Sequence, residues 1–181
     1  MATNVEIKAR VRDAESFRAR AEGISDTSVV VIRQEDVFFR SPRGRLKLRI
    51  LSPSSGQLIH YEREDAAGPR RSDYLIFETS EPDCLLEVLG RALGIRGRVR
   101  KTRSLYTTGA SRIHLDEVEG LGTFAEIEVV LGPHQSADEG TSIAECLMKT
   151  IGIQENDLVT AAYIDLLEAK QVNGSSTDTR Y

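Results

Sequence analysis

The 181-residue chain has only two cysteines and no long apolar run, and each shortage excludes a class of protein. Cys84 and Cys146 have no metal-ligand spacing, so the sequence predicts neither a disulfide framework nor a zinc site. Both are expected to be small buried residues of helices. No stretch approaches the about 18 apolar residues of a membrane span, and no apolar signal region follows Met1. A cytoplasmic location without a membrane partner is therefore expected.

An excess of basic charge is also absent. The net charge is −4 and the isoelectric point is near 5.5, which argues against a nucleic-acid partner because such binding usually needs a basic surface. Apolar residues make up 40% of the chain and charged residues 29%, as in a folded domain. A local basic groove remains compatible with this total, because net charge does not describe distribution.

Several strand-like runs carry charge along one face. In residues 4–11, side chains alternate with the period of two that a strand requires. One face holds Val5, Ile7, Ala9 and Val11, and the other holds Asn4, Glu6, Lys8 and Arg10. The same alternation recurs at 44–50 with basic residues and at 124–131 with acidic residues. Together these runs predict a sheet whose charges converge on one polyanion and a metal ion.

The element pattern predicts an α+β protein built on a closed, eight-stranded antiparallel barrel. Short turn-forming connections favour meanders for the second to fourth and sixth to eighth strands, with the charged faces lining the interior. Strands are predicted near 4–11, 29–40, 44–51, 57–65, 73–79, 98–107, 111–117 and 123–131. Flanking helices are predicted near 13–22, 81–93, 138–151 and 155–169. Residues 1–170 are predicted to form one domain, and the polar residues 171–181 a disordered tail.

Basic side chains share the predicted inner face of several strands. They are Lys47 and Arg49, Arg63 beside Tyr61, Lys101 and Arg103, with Lys8 and Arg112 as further members. Arg70 and Arg71 fall in a predicted loop, 65–73, that would close over an entrance. Converging cations suit a triphosphate, because Arg and Lys bind phosphate oxygens well. The alternative for any single pair is a solvated strand face with side chains extending into water.

Carboxylates form a second set, which consists of Glu6, Asp116, Glu126 and Glu128. Glu126 and Glu128 are two residues apart on one strand and project to the same side. Mg²⁺ or Mn²⁺ takes such oxygen ligands together with substrate phosphates and water. The alternative is a set of salt bridges that neutralises a polar interior. His60, His114 and His134 are dispersed and are interpreted as surface or outlying groups.

The order of these motifs resembles that of the CYTH superfamily, also called triphosphate tunnel metalloenzymes. The resemblance runs from about Val5 to Glu168. Within the superfamily, the chain is most similar to the class IV adenylate cyclase-like branch, whose relatives include thiamine triphosphatases. It is carried by residues 5–11, Asp36-Val-Phe-Phe, 44–49, 61–63, 72–74, 99–103 and, above all, 112–128. It implies that the triphosphate is held by Lys8, Lys47, Arg49, Arg63, Lys101, Arg103 and Arg112. It implies a divalent metal at Glu6, Asp116, Glu126 and Glu128, and catalytic roles for Glu6, Glu126 and Lys101.

One residue departs from the family pattern. The family has Glu-x-Glu-x-Lys at its N-terminus, whereas this chain reads Asn4-Val-Glu6-Ile-Lys8. An amide brings no charge, so metal binding is expected to be weaker, most of all at a second, nucleophile-side position. Glu128 compensating from across the tunnel is a hypothesis.

Three functions follow as expectations. The first is a Mg²⁺- or Mn²⁺-dependent phosphohydrolase of a small triphosphate such as tripolyphosphate, thiamine triphosphate or a nucleoside triphosphate. The second is a class IV-type adenylate cyclase that converts ATP to cyclic AMP. The third is a non-catalytic polyphosphate-binding module. The protein is expected to be a monomer or a homodimer.

Overall fold

The computed structural model describes residues 2–63 and 68–175, which form a closed ring of eight antiparallel strands with four α-helices packed around it. The strands are β1 (Ala2–Arg10), β2 (Val30–Phe39), β3 (Arg45–Ser52), β4 (Ser55–Arg63), β5 (Arg70–Thr79), β6 (Ile95–Thr108), β7 (Ser111–Val118) and β8 (Gly122–Val130). The helices are α1 (Ala14–Ile24), α2 (Pro82–Leu93), α3 (Ala137–Ile151) and α4 (Tyr163–Ser175), with a 3₁₀ turn at Glu155–Asp157. The predicted α+β barrel is confirmed.

The strands follow the order β1-β5-β4-β3-β2-β6-β7-β8, and β8 pairs with β1 to close the ring. The two predicted meanders are confirmed by the pairs β2–β3–β4 and β6–β7–β8. The N-terminal strand β1 lies between β5 and β8. Its register places Glu6 opposite Glu128 and Lys8 opposite Glu126, so residues far apart in sequence share the interior.

Helices cover part of the apolar outer face of the barrel. Outward side chains of β1, β7 and β8 bury against Phe17 of α1 and Met148 of α3. The approach of α3 is close, because a Cβ on Gly140 would lie 2.6 Å from Leu131 Cδ2. On another side, α2 covers β2 and β3 through a cluster of Val37, Phe39 and Leu48 with Leu85, Leu86 and Leu89. The exterior over these strands is therefore apolar and covered, whereas Leu75 and Phe77 of β5 are exposed.

The fourth helix starts later than predicted. The sequence predicts 155–169, but the chain leaves the 3₁₀ turn and crosses β1 in extended form, where Val159 N donates to Lys8 O at 2.8 Å. The helix begins only at Tyr163, and Asp165 Oδ2 accepts from Ala162 N at 3.0 Å beside this start. It then runs through Ser175, so it includes the first residues of the segment predicted as a tail. Residues 176–181 lie outside the described residues.

Three smaller expectations need comment. The last two residues of the predicted strand 57–65 lie outside the described residues, and β5 begins at Arg70, so Arg70 and Arg71 belong to a strand rather than to a loop. The prediction that Cys84 and Cys146 are buried is wrong, because both are exposed. Neither cysteine lies on the side of its helix that packs against the barrel. Within the described chain, no helix is long and apolar enough to cross a bilayer.

Candidate active site

Inward faces of the strands line one cavity that runs into the barrel and encloses about 790 Å³, counting its open mouth. Strand alternation puts the charged set inside because the opposite faces are apolar and bury against the helices. The polar and charged lining residues are Asn4, Glu6, Lys8, Asp36, Lys47, Arg49, Tyr61, Arg63, Ser72, Tyr74, Lys101, Arg103, Arg112, Glu126, Glu128 and Tyr163. Cations outnumber the carboxylates of this lining, as a polyanion site requires.

Asp36 anchors two of the cations. Its carboxylate accepts from Lys47 Nζ at 2.8 Å and from Arg49 Nε at 2.9 Å, and Gln34 Nε2 donates to it at 3.2 Å. Burial disfavours its charge, but Arg49 and Lys47 outweigh burial and hold the pKa of Asp36 well below its usual value. Burial also lowers the pKa of Lys47 to about 8, although Asp36 opposes that change. Asp36 therefore fixes the ends of two cations on neighbouring β3 positions.

Asp116 anchors a second pair. It is fully buried, and its oxygens accept from Lys101 Nζ at 2.8 Å and from Arg103 through Nε and Nη2, both at 2.6 Å. Tyr163 Oη donates to the same carboxylate at 3.1 Å. Burial opposes ionisation, but Arg103 and Lys101 outweigh it and lower the pKa of Asp116. This carboxylate lies beneath the cavity wall, with its bonding capacity taken up by these neighbours.

Glu6 forms a third group on the opposite wall. Its Oε1 accepts from Arg63 Nη1, and Arg70 Nε donates to the same oxygen at 3.2 Å. Arg70 also donates from Nη1 to the carbonyls of Val159 and Thr160, at 3.3 and 3.0 Å. Glu6 thus orients two guanidinium groups, and one of them ties β5 to the segment that precedes α4.

Glu126 and Glu128 lie beside a buried histidine. Lys8 Nζ is 3.3 Å from Glu126 Oε1, and Arg103 Nη2 donates to Glu126 Oε2 at 2.5 Å. Glu128 has longer contacts, 3.5 Å from Arg112 Nη1 and 3.8 Å from His114 Nδ1.

Charge in this group is set by its cationic neighbours. Burial opposes ionisation of Glu126, but Lys101 and Lys8 outweigh it and hold its pKa well below the usual value. Burial and Arg103 lower the pKa of His114, so the imidazole is neutral near pH 7. The result is two ionised carboxylates beside an uncharged ring nitrogen.

The start of α4 forms part of the tunnel lining through Ala162 and Tyr163. Lys8 Nζ lies 3.9 Å and Lys101 Nζ 4.9 Å from the centroid of the Tyr163 ring, and Lys8 Nζ donates to Ala161 O at 3.3 Å. Phe124 meets the same ring edge-on at 5.1 Å. Burial, with Glu126 and Asp116 nearby, raises the pKa of Tyr163 well above its usual value, so the phenol keeps its proton. These two cations are held against an aromatic floor.

The residues predicted from sequence lie on the inner surface of the barrel. Ten of them line the cavity: Glu6, Lys8, Lys47, Arg49, Arg63, Lys101, Arg103, Arg112, Glu126 and Glu128. Asp116 faces the same interior but lies below the surface, and Glu6 is grouped with arginines. The structure therefore brings Glu126 and Glu128 together, and it joins Asp116 to Glu126 through Arg103 Nη2, which donates to both carboxylates. The individual roles of these residues stay predictions.

Four contributors were missed or misplaced by sequence reasoning. Asp36 shares the inner face with Gln34, and this period-two relation was a usable signal. His114 is 3% exposed, so its interpretation as a surface group is wrong; its Nδ1 lies 3.9 Å from Glu126 and 3.8 Å from Glu128. Arg70 was assigned to a loop. Tyr163 had no local signal, because its position depends on the path across β1.

The residues present fit a divalent ion. In the ranges 2–63 and 68–175, one group of three has possible ligand atoms all within 4.8 Å of one another, and it consists of His114, Glu126 and Glu128. Among the buried polar atoms without a hydrogen-bond partner in the described residues are two possible ligand atoms, His114 Nδ1 and Asn4 Oδ1. Carboxylate, amide and imidazole donors are all metal ligands in proteins.

Comparisons with known proteins agree with this architecture. The sequence profile of the CYTH domain matches residues 2–163. A relative from Aeromonas hydrophila named adenylate cyclase CyaB is 25% identical over 174 residues, which cover 91% of this chain and 88% of the relative. A solved structure from Pyrococcus horikoshii is 26% identical with a TM-score of 0.80 and covers 90% of this chain and 98% of its own. An adenylyl cyclase candidate from Hippeastrum, described as having a dominant triphosphatase activity, is 18% identical with a TM-score of 0.65, over 92% of this chain and 96% of its own.

Proposed function

The chain belongs to the CYTH domain family, and from that premise we propose that it binds a small triphosphate with a divalent metal in the tunnel and hydrolyses it. The observation that carries the proposal is the convergence of six cations, from β1, β3, β4 and β6, on one cavity inside the barrel. These are Lys8, Lys47, Arg49, Arg63, Lys101 and Arg103. A triphosphate brings about four negative charges to a site where water is restricted, so fixed cations stabilise it strongly.

Each group of residues has a distinct role in this proposal. Asp36 and Asp116 hold the cations in place, and those cations bind the phosphate oxygens and neutralise charge that develops during transfer. Glu126 and Glu128 hold the ion, with Glu6 facing them from β1. A bound divalent ion supplies charge neutralisation at the phosphoryl group and lowers the pKa of water. Lys101 lies between Asp116 and the Tyr163 ring, which hold its ammonium group in the part of the tunnel beside the start of α4.

Adenylate cyclase activity is the second candidate. It is favoured by the similarity to the Aeromonas protein of that name, over 91% of this chain. The same cations would bind ATP, and the ribose 3′-hydroxyl would lose its proton and attack the α-phosphorus while the bond to the bridging oxygen breaks and pyrophosphate leaves. A non-catalytic polyphosphate-binding module is the third candidate, and Asn4 in place of a glutamate supports it.

The test is a turnover panel with the purified protein. ATP, tripolyphosphate and thiamine triphosphate are each incubated with Mg²⁺ or Mn²⁺, and products are identified by chromatography. Free phosphate that disappears in Glu126→Gln and persists in the exposed control Glu145→Gln supports the hydrolase. If cyclic AMP is formed instead, and is lost in Glu126→Gln but not in Glu145→Gln, the cyclase replaces the hydrolase as the proposed function. Tight tripolyphosphate binding with no product under either metal leaves the binding module.

Asn4 provides a further prediction. Its Oδ1 is buried in the cavity wall without a hydrogen-bond partner among the described residues, so Asn4→Glu places a charge where an acceptor is already free. We expect metal-dependent turnover to rise about tenfold, because an added carboxylate strengthens ion binding. The measurement is turnover against Mn²⁺ concentration, with Asn4→Gln as the uncharged control. Unchanged activity would count against a weakened second metal position.

A further inference from the structure

We infer that His114 is a nitrogen ligand of the metal site that it forms with Glu126 and Glu128, and that this site takes a first-row transition ion in preference to Mg²⁺. The inference rests on the proposed metal-dependent function and specifies the chemistry of its ion. It differs from the sequence prediction, which assigns the site to carboxylates alone.

The three side chains are brought together by the β7–β8 register. His114 lies directly opposite Glu126, and Glu128 follows two positions along the same inner face. His114 Nδ1 is 3.8 Å from Glu128 Oε1 and 3.9 Å from Glu126 Oε2. These separations are too long for hydrogen bonds but lie within twice a metal–ligand distance of about 2.1 Å. The possible ligand atoms of all three residues lie within 4.8 Å of one another, so side-chain movements alone, without rearrangement of the strands, would bring them to one ion.

Burial makes the ring nitrogen informative. Only 3% of His114 is exposed, and nowhere in the described parts of the chain does an atom form a hydrogen bond with Nδ1. A buried polar atom without a hydrogen-bond partner is energetically unfavourable. When no protein atom serves as the partner, the usual partner is a water molecule or an ion. Here the nitrogen is aimed at two carboxylates rather than at a backbone group.

The donor set discriminates between ions. Mg²⁺ is a hard ion that is bound through oxygen and retains its waters. Imidazole nitrogen instead suits first-row transition ions, whose affinity for nitrogen-containing sites rises along the series from Mn²⁺. Two carboxylates and one imidazole thus form a mixed site that Mn²⁺ tolerates and Mg²⁺ does not favour.

Pulsed electron paramagnetic resonance on the Mn²⁺-loaded full chain tests the assignment directly. We expect a ¹⁴N coupling to Mn²⁺ that changes to a ¹⁵N coupling when the histidines are ¹⁵N-labelled, a measurement that requires no variant. The coupling should vanish in His114→Asn and persist in His134→Asn, whose histidine is exposed on the loop before α3. By calorimetry, His114→Asn should lower Mn²⁺ affinity about tenfold or more, since even residues that only orient a ligand cost that much. Mg²⁺ affinity should change less.

Two results would overturn the inference, and they are distinguishable. Mn²⁺ bound to the wild type without nitrogen coupling, or with coupling retained in His114→Asn, removes His114 from the site and leaves the metal-dependent hydrolase intact. A wild type that binds tripolyphosphate but no Mn²⁺ overturns both the inference and the metal dependence of the proposed function.

Discussion

Two pairs of carboxylates in the same tunnel have different surroundings. Asp36 and Asp116 are 4% and 0% exposed, and their oxygens accept short bonds from paired cations. Glu126 and Glu128 are 18% and 19% exposed. Glu126 accepts from Arg103 at 2.5 Å, whereas the contacts of Glu128 to Arg112 and His114 are 3.5 and 3.8 Å. The difference separates carboxylates that hold the structure of a charged interior from a more exposed pair in which Glu128 has capacity left for a ligand.

The first pair explains how so many cations remain in a small volume. Buried charges of one sign repel each other and are poorly solvated, so each needs a fixed counter-charge. Asp36 and Asp116 supply it from β2 and β7 while leaving the ends of Lys47, Arg49, Lys101 and Arg103 directed toward the cavity. In the second pair, the long contacts of Glu128 are the ones that a ligand can replace most easily.

The largest expected effect is from Asp116→Asn. It leaves Lys101 and Arg103 buried without their common counter-charge, so the free energy of unfolding should fall by about 3–5 kcal/mol. Denaturant unfolding at pH 7 measures it, with the exposed Asp83→Asn as control. A loss below about 1 kcal/mol would mean that Asp116 belongs with the second pair.

Glu128→Gln should have the opposite profile. Since its contacts are long and a charge is removed from the metal site, we expect turnover to fall about 100-fold or more while unfolding changes by less than about 1 kcal/mol. Steady-state kinetics with Mn²⁺ and a parallel melt measure both, with Glu145→Gln as the exposed match. A destabilised, still active variant would reverse the comparison.

Tyr163→Phe tests the floor of the tunnel. It removes a hydrogen bond to the ionised Asp116 and keeps the ring beneath Lys8, so stability should fall by about 1.5–3 kcal/mol. Tyr74→Phe, which also lines the cavity, is the control. An equal loss in both variants would show that the ring environment, and not the bond to Asp116, decides the effect.

The smallest expected effect concerns pH. Lys47 has a pKa lowered to about 8, so it is charged below pH 8 and neutral above, and metal-free tripolyphosphate affinity should fall about tenfold from pH 7 to pH 9.5. Lys47→Arg keeps its charge throughout and should make the dependence shallower; Lys8, whose pKa is also about 8, accounts for the remainder.

Lys47 also affects stability in a defined direction. Its folded pKa lies below the unfolded value of 10.5, so the unfolded state holds more protons between those values. The contribution of this group to the free energy of unfolding therefore rises with pH between about 8 and 10.5. For the binding prediction, a wild-type tripolyphosphate affinity that stays constant between pH 7 and pH 9.5 would contradict the lowered pKa of Lys47.

The barrel and most of its lining were predictable because alternation is a local property. Lys47 and Arg49, or Glu126 and Glu128, point the same way whatever their neighbours are, so period two places them together. Asp36 was harder, because its strand carries apolar residues on both faces from Val37 to Phe39. Its pairing with Arg49 depends on the β2–β3 register.

What escaped prediction depends on long-range geometry. His114 meets Glu126 only through the β7–β8 register, and its spacing in sequence matches no metal motif. Tyr163 reaches the tunnel because the preceding segment pairs with β1 before the helix starts. The helical periodicity of the sequence does not predict this path of the chain. Registers and chain paths of this kind are set by packing of the whole domain.

The position of β1 in the ring has a consequence for folding kinetics. The first strand of the ring in chain order pairs with β5 and with the last, β8, so the ring closes only when β8 has formed. Such non-local pairing carries a large loop-closure cost and is intrinsically slow. Because insertion of β1 brings Glu6 and Lys8 beside Glu128 and Glu126, the tunnel is completed in the same step that closes the ring. Polyanion binding therefore reports the last event of folding.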